Sequence, residues 1–414
     1  MSDKKLKLLI YGINYYPELT GIGKYTGEMG AWFAKQGHNI EVITALPYYP
    51  EWNVHKAYKG KWWHKELVNG ATVCRCPLYI PKNITGKTRI IHELSFLIST
   101  LWYWLPRFFK KYDAVIAIYP PLVINIYPYL YSLFHKKTKV IIHVQDLQVD
   151  AARQLNLIKN ETLLNFLEKA EKFFFKKATA VSSISTGMQK KILEKGISKE
   201  NYFMLPNWAD TDFLKPLPAH ESLRKELGFL PEDKIVLYSG NIGQKQGIEI
   251  LLPVAQEFQH NPSVKFVIAG EGAAKQNLKR LAAEKNLTNV YFLPLQPANK
   301  LPQFLAMADL HLVIQKRAAA DLVLPSKFIS ILSCGACAIV TSEPGSSLFE
   351  MIEQEHTAIL IEPENEKALL IAIKENLSSD TSSIKNAARN YALNHLNINK
   401  ILFTLKVFLR SGKL

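Results

Sequence analysis

The stretch 235–250, IVLYSGNIGQKQGIEI, admits few folds. Ile235-Val236-Leu237-Tyr238 is a short apolar run of β-branched and aromatic residues, the pattern of a buried strand. It breaks at Ser239-Gly240, and Gly243 and Gly247 follow in a polar loop. Ile248, Leu251, Leu252, Ala255 and Phe258 then recur at helical spacing. Strand, glycine loop and helix in that order aim backbone N–H groups and the positive end of a helix dipole at one place, which suits an anion. Lys245, with Gln244 and Gln246, adds a cation and donors to the loop. Glycine turns also join strands to helices in α/β proteins that bind nothing there, so the loop indicates a diphosphate cradle without requiring one.

The same rhythm runs through the chain. In the first half, strands are expected at 6–13, 40–44, 114–118, 140–143 and 179–183, alternating with helices around 95–109, 163–175 and 186–193. Gly21 and Gly23 lie in the first strand-to-helix turn, but Thr26 stands where a dinucleotide fingerprint needs its third glycine, which disfavours a nicotinamide dehydrogenase. A proline-marked break follows Leu205-Pro206-Asn207-Trp208. Strands then resume at 235–238, 265–269, 290–292, 310–314, 338–340 and 359–361. Alternation of this kind means parallel sheets covered on both faces, and 414 residues are too many for one core. The expectation is two Rossmann-like domains, 1–207 and 233–385, joined by a linker at 208–232, with a C-terminal segment 386–414 that packs back on the first domain.

Ligands meet parallel sheets at the carboxyl ends of strands. His143 and Asp146 stand at such an end, although a histidine there is as readily a satisfied core residue. Gly270-Glu271-Gly272 forms a second tight turn, and Ser326, as an N-cap, with Lys327 opens a helix that makes a second anion site. Trp52 belongs to an aromatic-rich stretch, 47–63, that either stacks on sugar rings or packs onto its own domain. Cys74, Cys76, Cys334 and Cys337 suit small buried packing better than zinc, because the two pairs lie far apart in the chain.

Charge is lopsided. Residues 1–210 hold 29 Lys and Arg against 16 Asp and Glu, whereas the rest holds 22 against 20. A basic half suits an anionic partner. No zinc-finger spacing, RNA-binding aromatic signature or basic heptad pattern points to nucleic acid. An anionic membrane surface fits better, because basic residues interleave with apolar runs such as 94–106, LSFLISTLWYWLP. That run is shorter than the roughly 20 residues of a spanning helix. It is either buried core or an interfacial patch with Trp102, Tyr103 and Trp104 at headgroup depth. The first residues, MSDKKLKLLIYGI, show no export signal, so the expected location is cytoplasmic and peripheral on the inner face of the plasma membrane.

Six segments carry a resemblance: YGINYYPELTGIGKYTGEM, the Asn-Trp-Ala-Asp-Thr-Asp stretch, SGNIGQKQG, AGEG, DLVLPSK and SCGACAIVTSEPG. In that order they resemble glycosyltransferase family 4, most closely its colanic-acid-type exopolysaccharide enzymes, often labelled fucosyltransferases. The resemblance implies a GT-B architecture, two Rossmann-like domains facing across a cleft, with retaining transfer that needs neither metal nor cofactor. It implies a nucleotide-sugar donor, and a polyprenyl-diphosphate-linked glycan as acceptor would explain both the basic first half and its apolar-aromatic runs. Carried over by position, Lys245 holds the donor diphosphate with Gly240, Asn241 and Gly243. Gly21 and Gly23 approach it from the first domain, and Asp146 or His143 faces the sugar. Glu271 and the strand end at 292–296 lie near the nucleoside, and Ser326 and Lys327 contact phosphate. Glu18, Trp52, Trp102 and Trp104 are assigned to the acceptor or membrane side. Two departures stand out. Asn241 occupies a position that is arginine in many relatives, and the paired glutamates of the family fall near Leu322 and Ser330, leaving Asp321 as the nearest carboxylate. The competing readings are another GT-B enzyme, such as an epimerase or a phosphorylase-like protein, and a non-catalytic nucleotide-binding scaffold.

Overall fold

The computed structural model describes residues 4–18, 21–154, 158, 160–317 and 324–412. The chain divides into two units, Met1–Pro206 with Leu402–Leu414, and Asn207–Ile401.

Unit 1 is built on β1 (Lys7–Tyr11), β2 (Asn39–Ala45), β3 (His64–Val68), β4 (Ala71–Cys76), β5 (Ala114–Tyr119), β6 (Lys139–Val144), β7 (Ala180–Ser183) and β8 (Tyr202–Met204). They form one sheet in the order β3-β4-β2-β1-β5-β6-β7-β8, parallel except for the β3–β4 pair. Every residue of β5 is buried, as expected of a central parallel strand covered on both faces. The β3–β4 hairpin was not anticipated. Its turn is Asn69-Gly70, both at positive φ (48° and 82°), the two-residue turn whose twist matches antiparallel strands. Strand order reverses between β1 and β5, so a crevice opens at their carboxyl ends. Three helices shape it and its surroundings: α1 (Gly21–Lys35), α2 (Gly86–Arg107) and α3 (Ile126–Phe134). The inner faces of α2 and α3 pack Phe96, Trp104, Tyr127 and Tyr131 against Tyr11 and Val115 of the sheet.

Unit 2 contains β9 (Lys234–Ser239), β10 (Val264–Ala269), β11 (Val290–Leu293), β12 (Leu310–Val313), β13 (Ala338–Thr341) and β14 (Ile359–Ile361), all parallel, in the order β11-β10-β9-β12-β13-β14. Here the reversal falls between β9 and β12. One core lies on each face of the sheet, around Leu237, Phe328 and Leu332 on one and Tyr238, Leu251 and Ile268 on the other.

Two expectations about organisation are corrected. Residues 208–232, expected as an interdomain linker, are packed into unit 2: Ala209, Leu214, Leu223 and Phe229 are buried in its core, and Arg389 donates to the carbonyls of Thr211 and Leu214 at 3.0 and 2.9 Å. The segment 386–414 is not a single appendage. Helix Ser382–Tyr391 and a π turn at Ala392–Leu396 belong to unit 2, whereas helix Ile398–Ser411 passes into unit 1 at Leu402. Within unit 1, Lys139 Nζ donates to the Leu409 carbonyl at 2.6 Å and the Phe408 ring lies 4.6 Å from that of Phe203. The cation thus meets the negative end of the helix dipole. The helix after the glycine loop also starts late: two 3-10 turns, Gln244–Gln246 and Ile248–Ile250, precede helix Leu251–Glu257.

Candidate active site

In unit 2 the loops after β9, β10 and β12 gather at the strand reversal. Tyr238, the last buried residue of β9, donates its hydroxyl to the Asn241 carbonyl at 2.6 Å. Lys327 Nζ donates to that same hydroxyl at 2.8 Å and sits 4.1 Å from the centre of the Tyr238 ring. Removal from water pushes the Lys327 ammonium down to about 7. A Cβ built on Gly240 would lie 3.4 Å from Lys327 Nζ, so the lysine is held against the β9 turn. Lys327 is the second residue of helix Ser326–Ser333. The first N–H groups of a helix have no partner within it, so cation and helix start form one anion-binding corner. The N-cap is Pro325 and not Ser326, which is exposed as the first helical residue.

The glycine loop works differently from the expected cradle. Gly240 N donates to Ala269 O (2.9 Å), Ile242 N to Glu271 O (2.8 Å) and Gly243 N to Gln246 Oε1 (3.1 Å). The first two donors join the β9 and β10 loops and the third closes the β9 loop on itself, leaving less for a ligand. Gly270, at φ +150°, lies so close that a Cβ there would stand 1.8 Å from the Gly240 carbonyl oxygen. Lys245 is exposed on the Gln244–Gln246 turn and makes no side-chain hydrogen bond or ion pair among the described residues. The Glu271 carboxylate pairs with Lys275 at 2.6 Å. Asp321 lies outside the described residues. Tyr238 is the member that sequence reasoning missed; a tyrosine closing a strand just before Ser-Gly was the available signal.

In unit 1 a pocket of about 210 Å³ occupies the β1/β5 reversal. The start of α1 supplies Gly21 and Ile22, the loop after β2 supplies Tyr48, Tyr49 and Trp52, and Asp146 enters from the end of β6. Gly23 lies beneath, where a Cβ would meet Glu18 Cβ at 2.7 Å. Three further polar residues come from the first turns of α2: Arg89, His92 and Glu93. They were missed, though charged residues at spacings of three and four at the head of an apolar helix marked them. His92 Nδ1 donates to the Tyr79 carbonyl (2.5 Å) and its Nε2 accepts from Tyr48 Oη (3.0 Å), while burial lowers its pKa and keeps it neutral. Burial raises the Glu93 carboxyl, against hydrogen bonds from Gln148 and Arg89.

Three assignments on this side need correction. His143 is fully buried; its Nε2 accepts from Gln145 and its Nδ1 meets Ser182 Oγ at 2.9 Å, and burial drives its pKa to about 3. It is a neutral core residue and does not line the pocket. Trp104 is also fully buried, edge-on to Tyr11 at 5.3 Å, whereas Trp102 is 67% exposed and outside the pocket. Glu18 does not line the pocket but shapes it. Its Oε1 accepts from the backbone N–H groups of Tyr48 and Tyr49, both at 2.9 Å, and its Oε2 accepts from Asn14 Nδ2 at 2.9 Å. Burial nevertheless raises its carboxyl. Glu18→Ala leaves two N–H groups unpaired and should cost about 2–4 kcal/mol of stability. Glu18→Gln keeps the acceptor for both and should leave the melting temperature at pH 7 near that of the parent. Thermal unfolding of both variants checks this.

A family model described as "Glycosyl transferase 4-like domain" matches residues 20–208, and one described as "Glycosyl transferases group 1" matches residues 219–394. The chain is 39% identical over 404 residues to a glycosyl transferase of Escherichia coli (strain K12) named for colanic acid biosynthesis, WcaI, covering 96% of this chain and 98% of that one. The chain is a family 4 glycosyltransferase. Its fold is GT-B, with two parallel-sheet α/β domains. Sucrose-phosphate synthase from Thermosynechococcus elongatus superposes on this glycosyltransferase with TM-score 0.75 at 17% identity, covering 99% of each chain. Anabaena HepE in complex with UDP does so with TM-score 0.71 at 15% identity, over 98% of this chain and all of that one. The two units of the glycosyltransferase coincide with the two family matches, the anion-binding corner falling in the group 1 region and the pocket in the 4-like region.

Proposed function

We propose that this glycosyltransferase is a retaining, metal-independent hexosyltransferase of exopolysaccharide assembly. It moves a hexose from a nucleotide-sugar to a polyprenyl-diphosphate-linked oligosaccharide, working as a peripheral protein on the cytoplasmic face of the plasma membrane. The observation that carries the donor half of this reading is Lys327, desolvated against Tyr238 beside Gly240 at the strand reversal of unit 2. As the bond between the anomeric carbon and the phosphate oxygen breaks, negative charge grows on the leaving diphosphate. Lys327 and the helix start beside it are preorganised to receive that charge. The acceptor hydroxyl attacks from the face the diphosphate leaves, and its proton passes to the departing phosphate oxygen. No protein nucleophile is needed. Asp146, with Glu93 and neutral His92, lines the unit 1 pocket where the acceptor sugar and its hydroxyl are oriented. Lys245, exposed on its loop, is free to close on the diphosphate from the other side.

The colanic acid role in the name of the Escherichia coli relative supports the polysaccharide assignment, and the UDP bound by HepE supports a nucleoside diphosphate. GDP and UDP are therefore the first bases to test, with GDP-fucose the first complete donor. At a hundredfold excess over its Kd, the correct nucleoside diphosphate should raise the melting temperature by about 5–10 °C. The matching sugar nucleotide should then turn over only when a lipid-linked acceptor is added. If no nucleoside diphosphate shifts the transition, or if sugar is released with equal efficiency without acceptor, the proposal fails.

A further inference from the structure

At the opposite, amino-terminal ends of β1, β5 and β6, unit 1 holds an open cavity of about 1060 Å³. Strands of five or six residues put it on the order of 20 Å from the Asp146 pocket. Its lining includes Lys4, Lys111, Lys136, Lys137, Lys139 and Arg410, against one carboxylate among the described residues, Asp113. Lys4 is paired with Asp113 at 3.5 Å, and Lys139 is committed to the carbonyl end of the C-terminal helix. Lys111, Lys136 and Lys137 are exposed and have no hydrogen-bond or ion-pair partner among the described residues. Three such cations around a concavity favour an anionic occupant.

The rim of that cavity is apolar. Leu133 and Phe134, from the end of α3, line it while 51% and 75% exposed, and Phe109, two residues before Lys111, is 91% exposed. From there α2 runs back to the other pocket, where its first turns carry Arg89, His92 and Glu93. Between the two ends its outer face shows Ile91, Leu94, Ile98, Leu101 and Leu105, all exposed and spaced by three and four residues. Trp102 flanks the stripe at 67% exposure, and Trp63 lies 6.4 Å from it. One helix of 22 residues, about 33 Å, thus joins the acceptor-side pocket to the basic cavity along an uninterrupted apolar face.

We infer that this cavity seats the phosphate headgroup of an anionic phospholipid and that the outer face of α2, with Phe109 and Phe134, enters the acyl boundary of the bilayer. Charge selects the occupant. A second copy of the chain brought against this face would add the same unpaired lysines, whereas an anionic leaflet neutralises them. Tryptophans beside an apolar stripe are the residues that settle at headgroup depth. The surface deepens the function proposed above, because a lipid-borne acceptor requires its enzyme at a bilayer.

The test is co-sedimentation of the full chain with vesicles of phosphatidylcholine alone or mixed with phosphatidylglycerol. Binding is expected to the mixed vesicles only. Replacing Lys111, Lys136 and Lys137 together by Gln should weaken it on the order of a hundredfold. Phe109→Ser with Phe134→Ser should weaken it also, and all five substitutions should leave the nucleotide-induced melting shift intact. Three results overturn the inference: equal binding to neutral vesicles, binding to mixed vesicles that the three lysine substitutions leave unchanged, or a lipid-free dimer that the Phe109 and Phe134 changes dissociate. Because binding needs no turnover, its failure alongside intact transfer removes only this surface. Intact binding without any nucleotide response removes the proposed function instead.

Discussion

Lys327→Met should lower transfer by about 10²–10³-fold while making the protein more stable below pH 7. Both effects have one cause. In the folded chain Lys327 is half-buried with its ammonium against the Tyr238 ring, and the loss of water there lowers its pKa from 10.5 to about 7. The unfolded chain therefore holds a proton that the folded chain releases between those two values. Stability rises with pH where the unfolded state binds more protons, so the penalty is complete below pH 7 and disappears as pH climbs toward 10.5. Methionine carries no charge to desolvate, so the melting-temperature gain should be largest at pH 6 and absent near pH 10.5. The same lysine makes donor capture pH-dependent. An anionic diphosphate selects the charged form, so kcat/KM for the donor should fall as pH rises through 7, whereas kcat in the bound complex should hold to higher pH. Lys327→Arg fixes the charge. It should flatten the alkaline limb of kcat/KM even if the bulkier guanidinium lowers the rate throughout. A kcat/KM profile for the parent that is level from pH 6 to 9 would show that Lys327 does not meet the donor.

How much of this was legible in the residues depends on what each inference rested on. Periodicity located most of the parallel strands to within a residue or two, because a strand buried on both faces must be apolar along its whole length. The positions of Lys327 at a helix start and Asp146 past a strand end were legible because those boundaries are written in proline or polar residues. His143 was misread for a reason the same pattern hides: it ends the same strand, but its side chain points into the sheet layer, where Ser182 on the neighbouring strand satisfies it. Trp102 and Trp104 are two residues apart on one helix, so they face nearly opposite ways, and only packing decides which one is core. The α2 run was neither wholly core nor wholly surface; its inner face is buried under the sheet and its outer face is not. Tyr238 was concealed by its own strand, since a buried tyrosine there reads as packing until its hydroxyl is seen between Asn241 and Lys327.

Gly270→Ala should abolish nucleotide binding and lower the melting temperature by on the order of 10 °C, whereas Gly243→Ala should do neither. Both glycines sit in loops that resemble phosphate cradles, and the two substitutions add the same methyl group. At Gly270 that methyl would fall 1.8 Å from the Gly240 carbonyl oxygen, on a backbone at φ +150° that side chains rarely adopt. The obstacle is backbone and cannot swing aside. Relief requires the β9 and β10 loops to part, breaking Gly240 N to Ala269 O and Ile242 N to Glu271 O. Strain of about 1–3 kcal/mol from the dihedral adds to the lost pairing. Those same bonds set where Gly240 and Asn241 lie, and with them the hydroxyl of Tyr238 and the ammonium of Lys327. At Gly243 φ is −107°, ordinary for any residue, and the nearest atom to an added Cβ is the tip of the Gln246 side chain at 2.8 Å, which can rotate away. Thermal unfolding with and without nucleoside diphosphate separates the two. Comparable behaviour of both variants would mean that ligand approach, and not the contact between the β9 and β10 loops, is what demands glycine in this turn.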